Sequence, residues 1–150
     1  GVDFLPGSFG FDAGVEVDPT YAATVLWLDA YVANVDRSWR NPNLLVWHGD
    51  VWVIDHGASL YFHHAWAGGV TDPARFAEQA WSVDDHVLKA YVDQVDPDLA
   101  DLVTDEVLAD VVGTVPEEWL GAPEHRAAYL AFLRARRDGH QGWLPKRGAA

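Results

Sequence analysis

The segment Leu28–His64, LDAYVANVDRSWRNPNLLVWHGDVWVIDHGASLYFHH, decides the expected fold of this chain. It contains two short apolar runs, Leu44–Trp47 and Val51–Ile54, which are rich in the branched and aromatic residues that favour strands. The three residues between them, His-Gly-Asp at 48–50, include a Gly-Asp pair that is typical of a tight turn. We therefore expect a β-hairpin at the centre of the chain.

The register of this hairpin determines which polar side chains approach one another. A turn centred on residues 49 and 50 pairs Trp47 with Trp52 and places Asp55 opposite Leu44. In that register Asp55 is expected to return beside Asn41, at the open end of the hairpin.

Helix-start signals recur in the rest of the chain. Asp18 can cap a helix that begins at Pro19, and the apolar residues that follow predict a largely buried helix over residues 19–34. Further Asp-Pro or Pro-Glu signals predict helix starts near residues 72, 96, 116 and 123. The last helix is expected over about residues 123–138, closed by Gly139 in a left-handed conformation. Residues 4–10, which mix aromatics with Gly and Pro, are expected to form a loop.

Composition excludes several classes of function. The 150 residues carry a net charge of -13 with only ten Lys and Arg, which argues against binding to nucleic acid or to an anionic membrane. Cysteine is absent, so disulfides and thiolate metal sites are impossible. No apolar run is long enough to span a bilayer and no signal peptide is visible, so we expect a cytoplasmic protein forming one domain over residues 1–150. Methionine is also absent, which predicts a processed, truncated or partial chain.

Two short motifs carry the candidate chemistry. Asp36 and Asn41 have the Asp-x4-Asn spacing of a kinase catalytic loop, in which the Asp orients the acceptor hydroxyl and the Asn oxygen binds magnesium. Asp55-His56-Gly57 follows the second apolar run, where a kinase has the aspartate that holds magnesium across the phosphates of ATP. Each motif alone would be read as a turn or a helix cap, but their joint spacing favours a site for Mg²⁺ and ATP. Arg37 or Arg40 is a candidate to stabilise the charge of the transferring phosphate.

The string Leu28–His64 resembles the core of the HipA-like serine/threonine kinase family, and residues 3–7, DFLPG, resemble the loop that precedes it. The resemblance implies an α+β fold, mostly α-helical with a central β-hairpin, equivalent to the carboxyl-terminal lobe of a protein kinase. It implies that Asp36 is the catalytic aspartate and that Asn41 and Asp55 are metal ligands, with Asn43 as a less favoured substitute for Asn41.

In such kinases a glycine-rich loop and a strand lysine grip ATP from an amino-terminal lobe. Neither has a candidate here, because the only lysines, Lys89 and Lys146, occur in or after the late helical region. The chain alone is therefore expected to be poorly active or inactive. The expected partners are the missing amino-terminal lobe and an unidentified protein substrate, and an antitoxin-like partner stays open.

Three alternatives remain at the level of sequence. The acceptor could be a small molecule, since related folds phosphorylate both classes of substrate. The acidic helices expected between Asp93 and Asp110 could belong to a non-catalytic partner-binding module. Asp55 could instead join a zinc or iron site with the histidines near the hairpin, which are His48, His56, His63 and His64.

Overall fold

The structure is a computed structural model that describes residues 5–12 and 14–145, apart from the side chains at positions 67 and 68. The fold is mixed α+β and mostly helical, as expected, with one small antiparallel sheet. The strands are β1 (Phe9–Gly10), β2 (Leu44–Trp47) and β3 (Asp50–Val53), and the α-helices are α1 (Pro19–Tyr31), α2 (Asp105–Gly113), α3 (Glu124–Asp138) and α4 (His140–Trp143). Short 3₁₀ helices span Tyr61–Gly68, Lys89–Gln94, Pro97–Leu102 and Glu117–Trp119. Asp3, Phe4 and Lys146, which entered the predictions above, lie outside the described residues.

Helix α1 begins as its sequence predicts and ends earlier. The Asp18 carboxylate accepts the Tyr21 N–H at 2.8 Å, and Pro19 occupies the first helical position. The helix ends at Tyr31 rather than near residue 34, because Ala33 adopts a positive φ of 52° that an α-helix cannot continue through. The chain therefore turns away from the helix just before Asp36.

The hairpin forms, but its predicted register was wrong by two residues. Trp47 pairs with Asp50 and Leu45 pairs with Trp52, so the turn consists of His48 and Gly49 alone. Both turn residues have positive φ, 53° and 89°, as in the two-residue turns that match the twist of paired strands. The prediction failed because it gave the Gly-Asp pair the central turn positions, whereas histidine takes the first of them.

Several other local expectations were also wrong. Part of the expected amino-terminal loop is the short strand β1, whose Phe9 and Gly10 pair with β2. Residues 73–78 form turns rather than a helix, and the signals near 96 and 116 begin 3₁₀ helices. Gly139 closes α3 with a φ of −92°, so it does not adopt the left-handed conformation. The capping signals therefore marked places where a turn or a helix begins, but they did not determine whether turns, a 3₁₀ helix or an α-helix follows.

Two apolar clusters hold these elements together, and α1 contributes to both. One packs α1 against α2, α3 and α4, and the other packs it against the hairpin and residues 83–92. Arg136 on α3 joins the first cluster and is almost completely buried. Its guanidinium donates to four main-chain carbonyls, those of Ala30 (2.6 Å), Gln79 (2.8 Å), Ala77 (2.9 Å) and Tyr31 (3.1 Å). Burial lowers the pKa of Arg136 to about 10, so the side chain keeps its charge at neutral pH. None of the described helices combines the length and apolarity that crossing a membrane requires.

Candidate active site

The loop that follows α1 brings together the two residues of the Asp-x4-Asn motif. The Asn41 amide Nδ2 donates to the Asp36 Oδ2 at 2.9 Å, and the Asn43 Nδ2 donates to the same oxygen at 3.3 Å. Main-chain bonds between Ser38 and Asn41, 3.0 and 3.1 Å long, close the loop. Because the side-chain nitrogens of Asn41 and Asn43 both donate to Asp36, the side-chain oxygens of these two residues remain available to accept from or bind other groups.

The main chain places Asp55 beside the Asp36 loop. The Ile54 N–H donates to the Asn43 carbonyl at 3.0 Å, so Asp55 follows a residue that is bonded to the Asp36 loop. Asp55 is exposed, has a φ of 48°, and accepts the Gly57 N–H at 3.2 Å. Within the described residues its carboxylate makes no hydrogen bond to Asp36 or Asn41. The hairpin therefore places the Asp55 backbone beside the loop and leaves the carboxylate on the solvent side.

A buried carboxylate that the motif analysis did not identify lies beneath this loop. Asp29 on α1 is fully buried and accepts hydrogen bonds from Arg37 Nε (2.5 Å), Asn34 Nδ2 (2.8 Å) and His86 Nε2 (3.0 Å). The His86 Nδ1 accepts the Leu88 N–H at 3.1 Å, which fixes Nε2 as the ring nitrogen that donates to Asp29. Burial alone would raise the pKa of Asp29, but the hydrogen bonds from His86, Arg37 and Asn34 outweigh it and lower the pKa below its ordinary value.

Arg37 is the centre of this network and is almost completely buried. Besides its ion pair with Asp29, its guanidinium donates to the Asn43 carbonyl and, at 3.2 Å, to the Ile54 carbonyl. A weaker contact of 3.5 Å reaches the His56 ring. Arg37 therefore fastens the Asp36 loop to the end of β3, which leads into Asp55.

The segment around residues 81–87 covers the other side of the loop. Ser38 forms an isolated antiparallel bridge with His86. Three further contacts join the two segments, namely Trp81 Nε1 to Asn34 O (2.7 Å), Trp39 N to Asp85 O (3.1 Å) and Val87 N to Arg37 O (3.2 Å). The Asp36 loop is thus held between the hairpin and this segment.

The Asp29 network predicts a specific dependence of stability on pH. The folded pKa of Asp29 lies below the ordinary value of 3.8, so the ionised carboxylate stabilises the fold above about pH 4, and this contribution is lost as the pH falls through the lowered pKa. We expect Asp29→Asn to lower the free energy of unfolding by about 1.5–3 kcal/mol at neutral pH, with a difference from the parent chain that shrinks as the pH approaches about 3.

Urea denaturation at a series of pH values measures this effect. Asp110→Asn, at an exposed position on α2, is the matched control and should change little at any pH. A deficit for Asp29→Asn that stays constant from neutral to acid pH would contradict the assignment.

The histidines that the structure describes do not assemble into a metal site. Among the described residues, no group of three His, Cys, Asp or Glu side chains is arranged to hold a metal ion. His48 packs on Trp47 in the turn, whereas His63 faces α3 and lies 3.2 Å from the Tyr129 hydroxyl. The zinc or iron alternative therefore gains no support from the geometry.

Comparison with protein-family models, with curated proteins and with solved structures found no match for this chain.

Proposed function

We propose that this chain is the metal- and ATP-binding carboxyl-terminal half of a HipA-like kinase, which transfers the γ-phosphate of ATP to a Ser or Thr hydroxyl of a protein. The observation that carries the proposal is the direct hydrogen bond between Asp36 and Asn41, the two residues of the predicted catalytic loop. The loop is held in place by the buried pair of Asp29 and Arg37, and Asp55 follows the strand beside it. Phosphoryl transfer depends mainly on positioning and on charge stabilisation, and a loop held this firmly favours both.

In this proposal Asp36 accepts a hydrogen bond from the acceptor hydroxyl and aligns it for transfer. The Asn41 oxygen and the Asp55 carboxylate would hold Mg²⁺, which in kinases neutralises the charge that develops on the phosphates. The donor set fits a hard cation, because the Asn41 nitrogen already donates to Asp36 and its oxygen is the atom left for a metal. Asn43 is held by the same carboxylate and remains the substitute for Asn41.

The role of Arg37 in this proposal differs from the one expected from sequence. Its guanidinium is buried and engaged by Asp29 and by two carbonyls, so we assign it as a positioning residue that does not contact the transferring phosphate. Arg40 is exposed, with its guanidinium 4.2 Å above the Trp39 ring, and is the remaining cation of the loop.

The proposal requires an amino-terminal lobe that supplies a glycine-rich loop and a lysine for ATP. Lys89, the lysine among the described residues, instead donates to the Asp84 carbonyl at 2.7 Å. The complete enzyme would act in the cytoplasm on a protein substrate, and an antitoxin-like protein is a further partner to test.

Nucleotide binding by an Asp55→Ala variant tests the metal site directly. We expect the variant to lose at least about tenfold in affinity for ATP in the presence of Mg²⁺, because one of two protein ligands is removed. The measurement is calorimetric titration of the two-lobed protein with ATP, with and without Mg²⁺.

Asp50→Ala is the matched control, since Asp50 is an exposed aspartate at the other end of β3. Equal Mg²⁺-dependent affinities for the parent and the Asp55→Ala proteins would remove Asp55 from the site.

A further inference from the structure

Two cavities with different linings share a wall beside the Asp36 loop. Val35 and Trp81 line both of them, and Val35 directly precedes Asp36 in the chain. The larger cavity has a volume of about 400 Å³ and the smaller a volume of about 210 Å³. The proposed catalytic loop therefore begins at the wall between them.

The larger cavity is apolar. Aromatic rings form much of its lining, from Tyr61, Phe62, Phe76 and Phe132. Val35 and Tyr61, which border this cavity, are 68% and 62% exposed. A cavity of this size lies within the range of ligand sites and can accept one bulky apolar group.

The smaller cavity has a larger share of polar groups in its lining and carries an uncompensated negative charge. It is lined by Ser38, Ser82 and Asp85, and also by Arg37 and His86. Both of those side chains are already bonded to Asp29, whereas Asp85 is exposed and has no ion pair among the described residues. In a chain with a net charge of -13, this cavity favours a basic group.

We propose that the two cavities bind a polypeptide acceptor, with a bulky apolar side chain in the larger cavity and a Lys or Arg side chain in the smaller one. Neighbouring side chains of an extended segment project to opposite sides, which suits two dissimilar cavities on either side of one wall. A compact small molecule would have to place an apolar group and a basic group on opposite sides of Val35 and Trp81. That the bound polypeptide is a phosphate acceptor rests on the proposed kinase function, whereas the inferred binding surface does not depend on that function.

The test measures binding of fluorescein-labelled peptides to this chain by fluorescence anisotropy, without nucleotide. The probe is a serine peptide with Phe and Arg flanking the serine, and two matched peptides replace Phe with Ala or Arg with Gln. We expect each replacement to weaken binding, by about tenfold for the loss of Phe. Raising the salt concentration should weaken only the peptides that contain Arg.

Variants of the protein locate the binding surface. Val35→Glu should weaken binding of the probe by about tenfold, and Asp85→Asn should remove the preference for Arg over Gln. Val111→Glu and Asp110→Asn change exposed residues of the same types on α2 and should leave affinity within about twofold. Circular dichroism of each variant shows whether the fold is retained.

Four results would overturn the inference. Three concern the peptides and the variants, and they are failure of the probe to bind, equal binding of all three peptides, and equal losses in Val35→Glu and Val111→Glu. Saturable binding of neutral benzyl alcohol without binding of the peptide would also overturn it, in favour of a small-molecule acceptor. Because the binding assay contains no nucleotide, it measures the surface independently of phosphoryl transfer. A probe that binds in this assay but is not phosphorylated by the two-lobed protein in the presence of Mg²⁺ and ATP would count against the kinase function and leave the binding surface standing.

Discussion

Replacing Arg37 with leucine is expected to lower the free energy of unfolding by about 3–5 kcal/mol, because a buried carboxylate would lose its cationic partner. Asp29 would keep only its bonds to Asn34 and His86, and it has no access to water. The Asn43 and Ile54 carbonyls would lose their guanidinium donor in the same step. The measurement is the free energy of unfolding from urea denaturation at neutral pH.

Two further variants separate loss of the ion pair from a general effect of substitution in the loop. Arg40→Leu changes an exposed arginine three residues away and should change stability by no more than about 0.5 kcal/mol. Adding Asp29→Asn to Arg37→Leu removes the unpaired charge, so the double variant should be less destabilised than the sum of the single ones. Simple additivity of the two substitutions would contradict the assigned pairing.

Replacing Asp36 with asparagine in the two-lobed protein is expected to reduce phosphoryl transfer by about 10²–10⁴-fold while nucleotide binding is retained. Asparagine preserves an oxygen that can accept from Asn41 and Asn43, so the loop should keep its shape while the carboxylate is lost. The measurements are the rate of phosphate transfer from ATP to the protein acceptor and the affinity for ATP in the presence of Mg²⁺.

The combination of results identifies the role of Asp36. An unchanged ATP affinity with a much lower rate indicates a group that acts on the acceptor hydroxyl, whereas a parallel loss of both indicates a structural defect. Asp101→Asn, at an exposed position, should leave both quantities unchanged. Undiminished phosphorylation by Asp36→Asn would remove this residue from the mechanism.

The parts of the fold that sequence predicted correctly are those governed by local chemistry. Asp18 and Pro19 specified the start of α1, the two apolar runs specified β2 and β3, and the Pro-Glu signal at residue 123 located α3. The register of the hairpin was missed because it depends on which residues accept positive φ, and a histidine does so here without a distinctive signal. The 3₁₀ helices were missed because start signals do not distinguish them from α-helices.

The roles of Asp36, Asn41 and Asp55 stay predictions, and the buried support of their loop was not predicted. Asp36 and Asn41 belong to one short loop, where their side chains form a hydrogen bond. Asp29 was overlooked, although a carboxylate in an otherwise apolar helix must find partners when it is buried. Its partner His86 lies 57 residues away, and no local pattern could link the two. Arg37 is buried because it pairs with Asp29 and donates to the Asn43 and Ile54 carbonyls, and its role as a positioning residue was not anticipated because Asp29 was overlooked.

Anomalous diffraction from crystals of the two-lobed protein grown with Mn²⁺ and a non-hydrolysable ATP analogue tests the central claim most directly, because Mn²⁺ shares the preference of Mg²⁺ for oxygen ligands. The account predicts a peak about 2.0–2.3 Å from the Asn41 Oδ1 and from an Asp55 oxygen, with the Asp36 carboxylate facing the terminal phosphate. Two results would contradict the assignment of this loop as a kinase active site. One is a metal that occupies another place, and the other is an Asn41 oxygen and an Asp55 carboxylate that point to different surfaces around the bound nucleotide.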